Sequence, residues 1–538
     1  MAINDALEYY IIVCLNEITL RFLEGSLVGN YFYKMMDKIS NDEKFAVIIS
    51  VIIGLLCHIY KIVNYLPNHD SIYNYYSSQN VVGSGRWFLS IACGFSSYYD
   101  LPWITGFLSI IFISFTVAVL VRIFSIKNRF LISLVSGLLV CSPSITETLF
   151  FGFTADGYML AMLFSALAVL LSNIKDDSKI HFILSTILIT LTCATYQSYI
   201  SFSLVLLVCL CIWNLLFEEY QFKEYIHWIV RELIKYIIAL ISFYIIWKLC
   251  LHFEGIEINN YQGINSMSLN FTNIILAIPS SIKTLYFYIL EWNVLKHGIT
   301  LYGFLNILFL CFAFGVLASA IYKNNIYKDL YKLVLIFIFI CILPFICCIW
   351  HFVTPNVIYR PMMLTCVVLI FIFTLIMADQ IITGVKVELL AFLSIIMICN
   401  NAINANISYF YMNQEYSKSY ATGLEIVSRV QMIGSNYKVL VLGDLADEKL
   451  ISSNSYNYSN HLLNQLLETN LLFDEEHTLK FINNTFDVKF KSVSASQRNI
   501  IKSNPAVDNM KPFPDKSSVE LIDDVIVIKL SDKVSEDK

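Results

Sequence analysis

Eleven apolar runs, each close to the length of a bilayer crossing, constrain this chain more than any other feature. A helix needs about 20 mostly apolar residues to span the hydrocarbon. The runs lie near 45–63, 105–123, 130–147, 158–173, 180–194, 198–217, 232–252, 301–322, 332–353, 362–379 and 387–404. A further stretch, 272–290, holds Pro279, Ser280, Ser281 and Lys283, and reads either as another span or as a helix in the interface. Composition agrees, with 57% hydrophobic and only 14% charged residues, where soluble domains carry about a quarter. The net charge of −5 gives no reason to invoke nucleic acid. The fold class expected is a polytopic α-helical membrane protein of about 11 transmembrane helices, followed by a small α/β domain.

Lysine and arginine set the sidedness, because cytoplasmic loops carry the excess of positive charge. Arg21, Lys34, Lys38 and Lys44 place the N-terminus in the cytoplasm. Alternate connections then carry Arg122, Lys127 and Arg129; Lys175 and Lys179; Lys223, Arg231 and Lys235; Lys323, Lys328 and Lys332; and Lys386. The bias holds past residue 300 only if 272–290 does not cross. Segment 1–44 is thus expected to be cytoplasmic or interfacial, with an amphipathic stretch over 9–20 too short to span. Residues 45–404 form the membrane core, with external loops 64–104 and 252–300, and 405–538 form an external domain. That domain is expected to hold a helix leaving the membrane at 416–433, strands at 438–443 and 524–530, helical spacing over 461–473, and a polar loop over 492–516. The cysteines lie almost all inside apolar runs, where they act as small hydrophobes.

The stretch 64–100 interrupts this chain with polar chemistry. Asp70 suits a general base, or the cap of a following helix, with His69 beside it to tune the proton. Arg86, in Gly83-Ser84-Gly85-Arg86-Trp87, suits a phosphate approached by flexible backbone, or a lipid headgroup. Arg360 offers the same choice at the start of a late span. Glu147 and Asp156 bracket a short outer turn, as an active-site pair or, for Asp156, as a helix cap. Tyr73, Asn74, Trp87, Tyr196, Gln197 and Tyr359 add aromatic and amide surface on the same side. Charges at membrane depth are costly, so these residues are expected to converge on one cavity. Neither a phosphate-binding G-x-x-x-x-G-K-[ST] loop nor H-E-x-x-H occurs. No residue is assigned to a metal.

These residues carry a resemblance. With its acid in the first external loop, its G-R-W element, its acid-bearing turn after the third span and its outer tail, the chain resembles the serotype-converting O-antigen glucosyltransferases of bacteria and their phages. The resemblance runs over roughly 45–405 and is sharpest in LPNHDSIYNYYSSQNVVGSGRWFLS, residues 66–90. It implies a GT-C architecture in the bacterial cytoplasmic membrane. Sugar, by family default glucose, would pass from a polyprenyl-phosphate donor to a cell-surface glycan such as O-antigen on the outer face. Many relatives carry two adjacent acids where this chain has His69-Asp70, which leaves a divalent metal an open question; no other cofactor is implied. Two rivals stand beside transfer: a flippase for lipid-linked sugars, which would need polar residues through the midplane, and an O-antigen polymerase with similar loops.

Overall fold

The computed structural model describes residues 39–532 apart from 173–177, 261, 269, 292–299, 355–356, 382–384, 435, 446–470 and 473. The amphipathic stretch 9–20 and nearly all of the helical spacing at 461–473 lie outside the described residues. Among the described residues, ten helices are long and apolar enough to cross a membrane, or eleven if the bent pair at 129–150 is one span.

In chain order the first half comprises α1 (Asn41–Val63), α2 (His69–Tyr73), α3 (Leu89–Cys93), α4 (Pro102–Ile123), α5 (Arg129–Val140), α6 (Pro143–Phe150), α7 (Gly152–Leu170), α8 (Lys179–Thr195), α9 (Ile200–Phe217) and α10 (Phe222–Glu254). The second half comprises α11 (Phe271–Tyr286), α12 (Leu301–Lys323), α13 (Leu330–Cys347), α14 (Val368–Ile381) and α15 (Val385–Ile433). Helix α4 packs against both α1 and α7, and α9 packs against α7, α13 and α14. Helices α7, α9 and α14 are apolar all round and mostly buried, whereas α10 to α13 leave most of their apolar surface outward, as lipid-facing helices do. The bend of 44° between α5 and α6 has a local cause. Pro143 lacks the N–H that would continue the helix, and Ser142 restarts it by capping Ile145.

Contacts between helix ends trace the path of 272–290. Asn324, just past α12, donates to Leu216 O at the end of α9, and Lys323 donates to Ile381 O at the end of α14. The far end of α10 meets the 64–101 loop, where Trp247 Nε1 donates to Val82 O at 2.7 Å. The end of α10 and the start of α12 therefore share one face. Helix α11 between them stays there: Ser268 N donates to Val353 O, Thr284 bonds His351 at 2.9 Å, and Asn306 donates to Ile289 O. With its continuation to Leu290 it is long and apolar enough to span, yet these contacts hold both its ends at one end of the bundle.

Helix α15 runs unbroken for 49 residues, about 74 Å at 1.5 Å per residue. The segment 387–404 and the exit helix 416–433 are thus one rod. It leads into a three-stranded sheet of order β1-β3-β2, with β1 (Lys438–Leu442) parallel to β3 (Val525–Lys529) and β2 (Val519–Ile522) antiparallel to it. Strand β2 was not expected. Asp523 and Asp524, both at positive φ, form the two-residue hairpin turn rather than starting a strand. The expected polar loop 492–516 contains two helices, α17 (Ala495–Lys502) and α18 (Pro505–Asn509). Before them, α16 (Glu475–Phe486) packs on α15 and on β1. Both sheet faces are covered: Val439, Val441, Ile526 and Ile528 pack toward α15 and α16, and Leu440, Leu442, Val525 and Val527 pack toward Ile501, Val507 and Met510.

The loop 64–101 is anchored from beneath. Lys61 Nζ donates to Leu66 O at 2.6 Å, and buried Asp100 faces Lys61 and Ser71. Burial pushes Asp100 up to about 6, against the pull of Lys61 and a hydrogen bond from Ser71. A carboxyl raised in the folded state contributes most when protonated, and that contribution is lost as pH rises through its folded pKa. The melting temperature of the detergent-solubilised protein should therefore fall as pH rises from about 4 to about 6, and Asp100→Asn should flatten that fall. An unchanged slope in Asp100→Asn would contradict this role.

Candidate active site

Helix α2 begins at a capping box: Asn68 accepts from Ser71 N at 3.0 Å, and Ser71 Oγ accepts from Asn68 N. The cap is therefore Asn68, and Asp70 is freed from capping to sit in the first turn. The helix ends at Tyr73, so Tyr76 does not continue it; Tyr76 pairs with Tyr99 instead. Asn74 ties the helix end back to Asp70 O and accepts from Gln79 Nε2 at 2.9 Å. His69 Nε2 lies 3.2 Å from Asp70 Oδ1, with the carboxylate half-exposed. Desolvation pushes the Asp70 pKa up, but the His69 hydrogen bond and the charges of His69, Arg360 and His477 outweigh it. The carboxyl is held below its ordinary value.

The second part of the loop turns sharply at Gly83–Gly85. Three successive carbonyls accept from three different parts of the chain: Val82 O from Trp247, Gly83 O from Asn259 N, and Ser84 O from Gln197 Nε2 at 2.8 Å. Gly85 has φ +83°, and a Cβ there would lie 2.5 Å from Gln197 Nε2. A Cβ on Gly83 would lie 2.7 Å from Asn259 Oδ1. The glycines are required by these close approaches. The turn delivers Arg86 onto the Tyr196 ring, 4.8 Å from its centroid, and Arg86 Nη1 donates to Tyr158 OH at 3.1 Å. Tyr158 and Tyr196 are themselves stacked at 4.4 Å. Across the site Arg360 lies over the Phe151 ring at 5.4 Å.

These groups border a cavity of about 320 Å³, inside the range of roughly 300–1,000 Å³ usual for ligand pockets. Asp70, Asn74, Arg86, Tyr196, Gln197 and Arg360 all line it, so six of the expected residues meet in one place. The other six stand behind its walls. His69 backs Asp70, and Tyr73 turns toward His477 at 4.7 Å. Trp87 packs on the Val82–Trp247 cluster. Tyr359 OH accepts from Trp350 N at 2.9 Å. Glu147 is fully buried and accepts from Met362 N at 2.5 Å, which fastens the turn that follows Arg360. Asp156 is also fully buried, against Ser96 and Cys93. It is no helix cap, because α7 starts four residues earlier at Gly152. Glu147 and Asp156 therefore hold walls and do not face one another across the cavity.

Sequence reasoning missed Gln79, Asn259, Gln262 and Trp350, which also line the cavity. Asn259 and Gln262 lie in the segment 252–300, which the charge bias had already placed on the site's side; that was the available signal. Together with Asn74 and Gln197 they give the cavity a set of carboxamides, which are paired donors and acceptors without charge. The site thus combines a carboxylate, two guanidiniums, aromatic faces and neutral amides, the parts needed to hold a phosphate beside a hydroxylated ring.

Neither a curated protein nor a solved structure matches the chain. The sequence pattern of the family described as Glucosyl transferase GtrII matches residues 59–377. That is more than half of the chain, and every residue lining the cavity falls within it. The chain belongs to this family and is a membrane glucosyltransferase.

Proposed function

We propose that the protein transfers a glucosyl group from a polyprenyl-phosphate donor to a cell-surface glycan such as O-antigen, at the outer face of the bacterial cytoplasmic membrane. The observation that carries this reading is the meeting of Asp70 with Arg86 and Arg360 around one cavity. Arg86 is held by Tyr158 and Tyr196, so its guanidinium needs little further ordering to meet a phosphate. Asp70 accepts the proton of an acceptor hydroxyl as its oxygen bonds to the anomeric carbon. The bond from that carbon to the phosphate oxygen breaks, and polyprenyl phosphate leaves with the electron pair. The leaving group is already a stable anion, so one carboxylate and cationic contacts suffice. A carboxyl held below its ordinary value is ionised throughout the neutral range, as a base must be.

The outer location rests on charge. Arg122, Asn128, Lys323 and Asn324 are joined across helix ends on the face opposite the cavity, through Glu43, Asp379, Ile381 O and Leu216 O. The Lys- and Arg-rich connections gather there, and the positive-inside rule assigns that face to the cytoplasm. For transport, the described ionisable groups would have to line a path across the midplane; those of the cavity gather at one end of the bundle instead.

Purified protein supplied with polyprenyl-phosphate-glucose and an acceptor glycan should transfer the sugar, and Asp70→Asn should slow transfer by roughly 10²- to 10⁴-fold. Unimpaired transfer by Asp70→Asn would sink the mechanism. Arg86→Ala and Arg360→Ala should each raise the donor KM by roughly tenfold or more, the scale of a lost charge-assisted hydrogen bond. Unchanged donor KM in both would remove the phosphate role from the arginines.

A further inference from the structure

The C-terminal domain lies outside the matched region 59–377, and nothing assigns it a role. Yet it grips the helix that carries Asp70. Ile72 of α2 is buried in the domain's own core with Ile426, Val430, Phe481 and Ile482. Asn484 Nδ2 of α16 donates to Ile72 O at 2.9 Å. His477 of α16 packs edge-on against Tyr73 at 4.7 Å and lies 6.0 Å from the His69 ring. Its own placement is specified: Asp474 caps α16 by accepting from His477 N at 2.7 Å, and its second oxygen meets His477 Nδ1 at 2.8 Å. A five-residue helix such as α2 has almost no stability of its own. Its position next to the cavity is therefore set by what clamps it.

We propose that the C-terminal domain is part of the catalytic apparatus, with His477 a positioning residue that holds the His69–Asp70 pair at the cavity through the docking of α16 on α2. This rests on the assignment of Asp70 as the base. Arg360 from the membrane core and His477 on α16 face Asp70 beside His69, and Tyr73 on α2 in turn faces Asp70, Glu476 on α16 and the cap residue Asp474. His477 and Arg360 both favour the ionised carboxylate. Undocking α16 takes His477 away from Asp70 and frees α2 at once.

The test uses the full-length enzyme with polyprenyl-phosphate-glucose, comparing His477→Ala and Asn484→Ala with wild type across pH. Both variants should lose roughly tenfold to a hundredfold in kcat, the scale of a misplaced catalytic group, with donor KM unchanged. Both should move the acid limb of the rate upward, toward the ordinary carboxylate range. Asn484→Ala removes no titratable group, so a shift there reports docking itself, and it carries the test if His477→Ala fails to fold. Wild-type kcat and acid limb in Asn484→Ala would overturn the proposal, as would a loss of rate that is uniform across pH. If Asp70→Asn is inactive while these variants behave as wild type, only this inference falls; if Asp70→Asn is active, the assignment of the base falls with it.

Discussion

The turn at Gly83–Gly85 is the joint on which the site depends. A buried backbone carbonyl needs a donor, and one that takes it from a distant part of the chain ties the two together. Here Val82, Gly83 and Ser84 present three carbonyls in sequence, and α10, the 255–270 segment and the turn before α9 each supply one donor. Three distant stretches of chain are thereby fixed to one point. Two of these stretches contribute Asn259, Gln262, Tyr196 and Gln197 to the cavity, and the turn's exit aims Arg86 into it. Two glycines make this possible, since a side chain at either position would meet Asn259 or Gln197.

From this joint the division of labour among the polar residues follows. The charged groups lining the cavity each have a supporting partner: His69 for Asp70, Tyr158 for Arg86, and Glu147, through Met362 N, for the turn that carries Arg360. The backing residues are more buried than the ones they serve. Glu147 and Asp156 are wholly enclosed, while the Asp70 carboxylate stays half-exposed. An acid that must exchange protons with a substrate needs that access, and an acid that holds a wall does not.

Much of this was legible in the sequence, and the reasons for success and failure are specific. Most apolar runs coincide with helices long enough to span, because spanning requires them; the run at 180–194 forms a shorter helix, Lys179–Thr195, and Phe271–Leu290 is long and apolar enough although the lysine bias argued against a crossing there. Asp70, Arg86, Gln197 and Arg360 could be found as polar residues on one side of an apolar chain. What the sequence could not carry was depth: Glu147 and Asp156 flank the same short turn as exposed residues would, and only packing puts them behind the wall. The cap alternative for Asp70 could not be decided locally, since Asn68 and Asp70 are both good caps and the Ser71 hydroxyl selects Asn68. His477 was out of reach, because 407 residues separate it from Asp70 and no local pattern links them.

In the proposed reaction the cavity holds a donor phosphate at Arg86 or Arg360, with Asp70 beside the reacting carbon. An experimentally determined structure of the purified protein bound to a non-hydrolysable polyprenyl-phosphate-glucose analogue tests it most directly. The account predicts the phosphate in contact with Arg86 or Arg360, the sugar against the carboxamides Asn74, Gln197, Asn259 and Gln262, and the anomeric carbon facing open space beside Asp70. A phosphate bound elsewhere in the protein, or a sugar seated away from Asp70, would contradict it.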